Sequence, residues 1–132
     1  MAVRAHEDYL PSDIVTWQAA TDLSDMMYHW VEMESDVEID VCDGAGDDPV
    51  GILLNKPTGV GKAAEVISTP GKVCKLLCDG NSVNISVGDA LGPNASGHGI
   101  QKTTGKYYAR ALEAVASDGH IIPVRYVGPT DI

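Results

Sequence analysis

Short apolar runs recur along this chain at roughly ten-residue spacing, each closed by a turn-forming group, and this rhythm constrains the fold more than any other feature. Val37, Ile39 and Val41 alternate with Glu38, Asp40 and Cys42, the period of a half-buried strand with one wet face. Residues 43–49, rich in Gly and Asp and ending in Pro, close it. Further strands are expected at 50–54, 64–68, 73–78, 83–87, 100–103, 107–115 and 121–127, and an earlier one from Tyr28 to Met33. Breakers separate them at 57–61, 69–71, 79–81, 92–99 and 117–119. Residues 109–114 have a helix-favouring composition, but the segment is short and follows a Gly turn, so it reads as strand. Pro123 is expected to put the last strand at an edge or a bulge. Residues 21–27 begin with capping residues and predict one short helical turn. Nothing alternates strand with helix, which excludes a doubly wound parallel sheet. The expected fold is all-β, a small β-barrel or β-sandwich with at most one short helix. No internal sequence repeat is visible.

The 132 residues suit one domain, read as an extended N-terminal arm over 1–16 and a single β domain over 17–132. The arm carries Pro11, scattered charges and the apolar anchors Tyr9, Leu10, Ile14 and Val15, with Trp17 at its junction with the body. Residues 1–8 place charges where the apolar core of a signal peptide would sit, so the chain is expected to be unprocessed. No apolar run reaches the length of a membrane span, and no membrane partner is expected. Charge divides sharply: residues 1–48 hold 13 acids and one cation, Arg4, whereas residues 49–132 hold 6 acids and 8 Lys or Arg. No basic patch is available for phosphates, so nucleic acid is not an expected partner. The acidic half suits solubility or a basic surface on a protein.

Gly59, Val60, Gly61 and Lys62 resemble a phosphate loop, but Lys56 stands where its first Gly is needed and Ala63 where its hydroxyl is needed. Asp36, Glu38, Asp40, Asp43, Asp47 and Asp48 are dense enough to suggest calcium, yet lack the spacing of an EF-hand loop. Cys42, Cys74 and Cys78 are too few for a disulfide framework or a metal knuckle and read as buried reduced thiols. His6, His29, His98 and His120 have no metal-type neighbours, and no nucleophile elbow is present. The expectation is no cofactor, no metal and no catalytic residue. Trp17, Trp30 and the five Tyr supply all the aromatic bulk, for core or for interface.

Several segments, in order, resemble the decoration (cement) proteins of tailed-phage capsids. Residues 20–24 with Tyr28, Trp30 and Val31 are similar to their early segment, and residues 48–53 and 71–74 to their next strands. Residues 87–91 are similar to their Gly-Asp turn, and residues 111–114 with Gly119 and 122–125 to their closing hairpin. The resemblance implies a β-tulip-like body and a non-enzymatic role on the outer surface of the head, in a protein made in the host cytoplasm. It also implies the major capsid protein as partner, and self-association as a homotrimer. Arg4, Tyr9, Leu10, Ile14, Val15 and Trp17 would then contact the shell. Two other readings are a head fibre base or tail component, and a small β-barrel enzyme or ligand-binding module using His98, His120 and Asp89.

Overall fold

A computed structural model describes residues 8–132, and they are all-β, with one 3-10 turn at Pro11–Asp13. Two five-stranded sheets each close on themselves. The N-terminal barrel contains β1 (Ile14–Ala19), β2 (Trp30–Met33), β3 (Glu38–Val41), β4 (Gly51–Leu53) and β5 (Ala63–Ile67), in the order β1-β3-β2-β4-β5. The C-terminal barrel contains β6 (Val73–Asp79), β7 (Ala90–Pro93), β8 (Gly99–Gln101), β9 (Lys106–Ala111) and β10 (Asp118–Asp131), in the order β10-β6-β8-β7-β9. Closure leaves neither sheet with a free outer strand.

The two barrels are one unit built twice. In each, the first strand runs parallel to the third and antiparallel to the fifth; the second pairs with the third and fourth, and the fourth with the fifth. The register repeats as well. Val31↔Val41, Glu32↔Asp40 and Met33↔Ile39 recur sixty residues on as Leu91↔Gln101, Gly92↔Ile100 and Pro93↔Gly99. Ala19↔Ile39 recurs as Cys78↔Gly99, and Ile14↔Ile67 as Val73↔Arg125. Turn hydrogen bonds follow: Tyr28 N–H to Leu53 O corresponds to Gly88 N–H to Ala111 O, and Cys42 N–H to Trp30 O to Lys102 N–H to Ala90 O. Tyr28 is the non-glycine with positive φ among the described residues, at 68°, and its counterpart Gly88 has φ 90°. Identities are not kept between these positions, so the repeat is invisible in the sequence.

Packing follows from the alternation of side chains along a strand. Val31, Leu53 and Val66 point into the N-terminal barrel with Ala19, Leu23, Ile39 and Ala64. Their neighbours Trp30, Ile52 and Ile67 point outward, into a second core shared with Leu76, Leu91, Tyr108, Ile122, Val124 and Tyr126 of the C-terminal barrel. β4 is therefore buried on both faces, which is why residues 50–54 form an unbroken apolar run rather than an alternating one. Each fully buried aliphatic side chain contributes about 1.5–3 kcal/mol. Trp30 lies between Tyr108 and Tyr126, with ring centroids 6.1 and 6.4 Å away, and has no exposed surface.

Four local expectations are corrected. Residues 21–27 form turns rather than a helical turn, because the Asp22 carboxylate takes the Ser24 N–H and Leu23 is pinned by its N–H to Pro57 O. Residues 83–87 contribute only the bridge Ile85↔Val115, since the Asp89 carboxylate takes the Ser86 N–H. Residues 90–93 are a strand, β7, whose last two residues fall in the expected 92–99 loop. Pro123 sits in β10 between β6 and β9, at neither an edge nor a bulge. Its carbonyl accepts from Leu112 N–H, so its nitrogen faces the same side, past the last β9 rung at Ala111, and no bond to β6 is lost. The strand's irregularities lie instead between Tyr126 and Thr130 and between Asp118 and His120, where Gly128 and Gly119 each take φ 78°.

Candidate interaction surface

The six residues expected to contact a shell are dispersed by the fold. Arg4 lies outside the described residues. The segment expected as an arm is, from Asp8 onward, tied to both barrels: Asp8 exchanges backbone hydrogen bonds with Val73 at the start of β6. Tyr9 packs against the shared core, while Leu10 beside it is 58% exposed, its N–H held by the Asp13 carboxylate. Ile14, Val15 and Trp17 belong to β1, which pairs along its length with β5. Val15 is exposed, and Trp17 is half-buried against the N-terminal core.

Trp17 instead meets residues from elsewhere in the chain. An open groove of about 430 Å³ is lined by Thr16, Trp17, Gln18, Val37, Gly61 and Ala63. Alternation had put Val37 on the buried face of its strand, but β3 starts only at Glu38 and Val37 is 51% exposed. No charged side chain lines the groove. Val37 was legible as apolar, but the partner that turns it into a groove wall is nineteen or more residues away from it in sequence on either side.

Three polar clusters occupy the rest of the molecule. At the junction of the barrels His98 Nδ1 lies 2.8 Å from Asp118 Oδ1, and its ring meets that of His29 at 4.9 Å. Asp89 accepts instead from Ser86 N–H and Gln101 Nε2, so the grouping of His98, His120 and Asp89 is not formed. Among the described residues no hydroxyl or thiol hydrogen-bonds to either imidazole. Burial pushes the His29 imidazole below its ordinary value, and the nearby His98 adds to this.

The second cluster joins Glu32, Cys42 and Asp47, whose ligand atoms lie within 4.8 Å of one another. Asp47 is already used: its Oδ2 accepts from Asp43 N–H and Gly44 N–H at 2.9 Å. Burial and then the Asp47 carboxylate beside it raise Glu32 to about 7. Burial also drives the Cys42 thiol upward, which keeps it protonated and a poor ligand. Cys74 and Cys78 are likewise buried free thiols, Cys78 pushed up to about 12. In the third cluster Tyr108 donates to Asp48 at 2.6 Å and Lys102 to the Ala45 carbonyl at 3.0 Å, fastening the acidic 43–49 loop to the C-terminal barrel.

No family model and no curated protein matches the chain. Among solved structures it is similar to the head fibre gp8.5 N base of bacteriophage phi29, with a TM-score of 0.60 over 90% of this chain and 99% of that one. At 16% identity the likeness is one of fold alone.

Proposed function

We propose that this chain is a virion structural protein of a tailed phage, a two-barrel base module seated on the outer surface of the head. The observation that carries the reading is the match, over nearly the whole of both chains, to a head fibre base. The ordered resemblance of segments to head-decoration proteins points to the same place on the virion. A base module needs a rigid body that presents side chains to a lattice, and two barrels sharing one core supply it. The reading differs from a cementing role in mechanism. With both sheets closed, the shell is met by side chains and loops rather than by a long free strand edge. Leu10 and Val15, exposed on the segment leading into and along β1, face the shell in this reading.

Co-sedimentation of the purified chain with empty expanded heads tests this. Saturable binding that weakens several-fold in Leu10→Asp and Val15→Asp is expected, and binding to tails but not heads would overturn it. The cementing alternative has its own readout, since a cement protein raises the temperature at which heads rupture and a fibre base leaves it unchanged. Repetition on a lattice lets weak single contacts add as avidity, so copy number is read together with affinity.

A further inference from the structure

We propose that the groove beside the β1–β3 seam of the N-terminal barrel docks the C-terminal barrel of a second copy of this chain, repeating between copies the contact already made between the two barrels within one. The inference stands apart from head binding, which is measured separately.

The duplicated fold shows what this seam accepts. In the C-terminal barrel the corresponding seam, between β6 and β8, is held open and keeps a single rung, Cys78↔Gly99. Backbone of the N-terminal barrel fills the gap: Leu77 N–H donates to Tyr28 O and Trp30 N–H to Gly97 O, both at 2.8 Å. Gly97, with φ 74°, lets Val41 pack so closely that a side chain there would collide with it. In the N-terminal barrel the counterparts of Leu77 and Gly97 are Gln18 and Val37. With nothing inserted they bond to each other, Gln18 N–H to Val37 O at 2.9 Å. The β1–β3 pairing ends at Gln18↔Glu38, so no β3 rung stands beside Thr16. The ladder's alternation turns the backbone of Thr16 toward the seam, as it does that of Gln18. The apolar groove of Trp17 and Val37 lies there.

The C-terminal barrel carries the matching segment. Gly88, Asp89 and Ala90 are the counterparts of Tyr28, His29 and Trp30, and they are held by the same bonds to Ala111 and Lys102. Within the chain no barrel covers them, and the adjoining Val83 and Val87 are 56% and 66% exposed. Gly88 O is occupied by Arg110 Nη1 at 2.9 Å, an exposed side chain whose Nη2 also donates to Tyr107 Oη at 2.8 Å and which docking must displace. Docking exchanges that bond and the Gln18–Val37 bond for Gln18 N–H to the second copy's Gly88 O, and its Ala90 N–H to Val37 O. Charge disfavours the contact between two N-terminal barrels. Residues 14–67 hold eleven acids and two Lys, so two N-terminal barrels repel, whereas residues 73–131 hold five of each sign. The contact uses different faces on the two copies, so it closes as a ring or continues as a filament.

Disulfide trapping reads the contact directly. Gly97 meets Val41 within the chain, so Val37 should meet the second copy's Gln101. Under mild oxidation a mixture of Val37→Cys and Gln101→Cys chains should give a cross-linked pair, and neither chain alone should. Sedimentation should show self-association of the unmodified protein that Val37→Asp abolishes and Ile132→Asp, at an exposed site on the chain's end, does not. Self-cross-linking of Val37→Cys, or a monomer at every concentration with no cross-link in the mixture, would overturn the proposal.

Discussion

At the scale of single residues, two titrating groups work against each other. Glu32 is raised by burial and by Asp47 from its ordinary 4.5 to about 7. The folded chain therefore holds a proton there that the unfolded chain has released. Glu32 contributes full stability below pH 4.5 and loses it as pH rises through 7. His29 is lowered from 6.5, chiefly by burial, so its contribution is full above pH 6.5 and falls as the solution becomes more acid. Glu32→Gln imitates the protonated acid. It should raise the melting temperature at pH 8 by roughly 4 °C, taking about 1 kcal/mol after solvent screening, and leave it unchanged at pH 4. Equal shifts at both pH values would show that the Glu32–Asp47 pair is not the cause. Trp30 is the other decisive residue, because its ring joins the barrels. Among the described residues its indole N–H has no hydrogen-bond partner, so shape and area carry its contribution. Trp30→Ala should cost about 3–5 kcal/mol in chemical denaturation.

At the scale of elements, the seams between strands decide how the barrels fit together. Gly97 takes a left-handed φ and touches Val41, so Gly97→Ala should destabilise by about 1–3 kcal/mol and loosen the barrel junction. Denaturant unfolding that splits into two steps, with the C-terminal barrel lost first or last, would show it. The strands themselves were largely legible: β3, β5 and β6 sit where alternation and breakers put them. β7 was not, because Gly92 and Pro93 read as breakers, while in the fold Gly92 admits the Lys102 side chain against its backbone and Pro93 ends the strand. The interaction groove was half legible. Trp17 stood out by residue type, but Val37 and Ala63 join it only through the pairing of β1 with β3 and β5. The tandem repeat could not be read at all. It is preserved in register and turn hydrogen bonds, and counterparts such as Trp30 and Ala90, or Ile39 and Gly99, share no chemistry.

At the scale of the whole molecule, the charge is lopsided: the acids gather on the N-terminal barrel and its loops, while the C-terminal barrel is near neutral. That surface suits a basic partner and discourages self-contact between like barrels. The proposed seat of this two-barrel body is the outside of a phage head. A cryo-electron microscopy reconstruction of heads saturated with the purified chain tests it most directly. The prediction is added density on the outer shell surface, two five-stranded barrels for each bound chain, at lattice-related positions. Heads indistinguishable from undecorated ones, or density confined to the portal and tail, would contradict it.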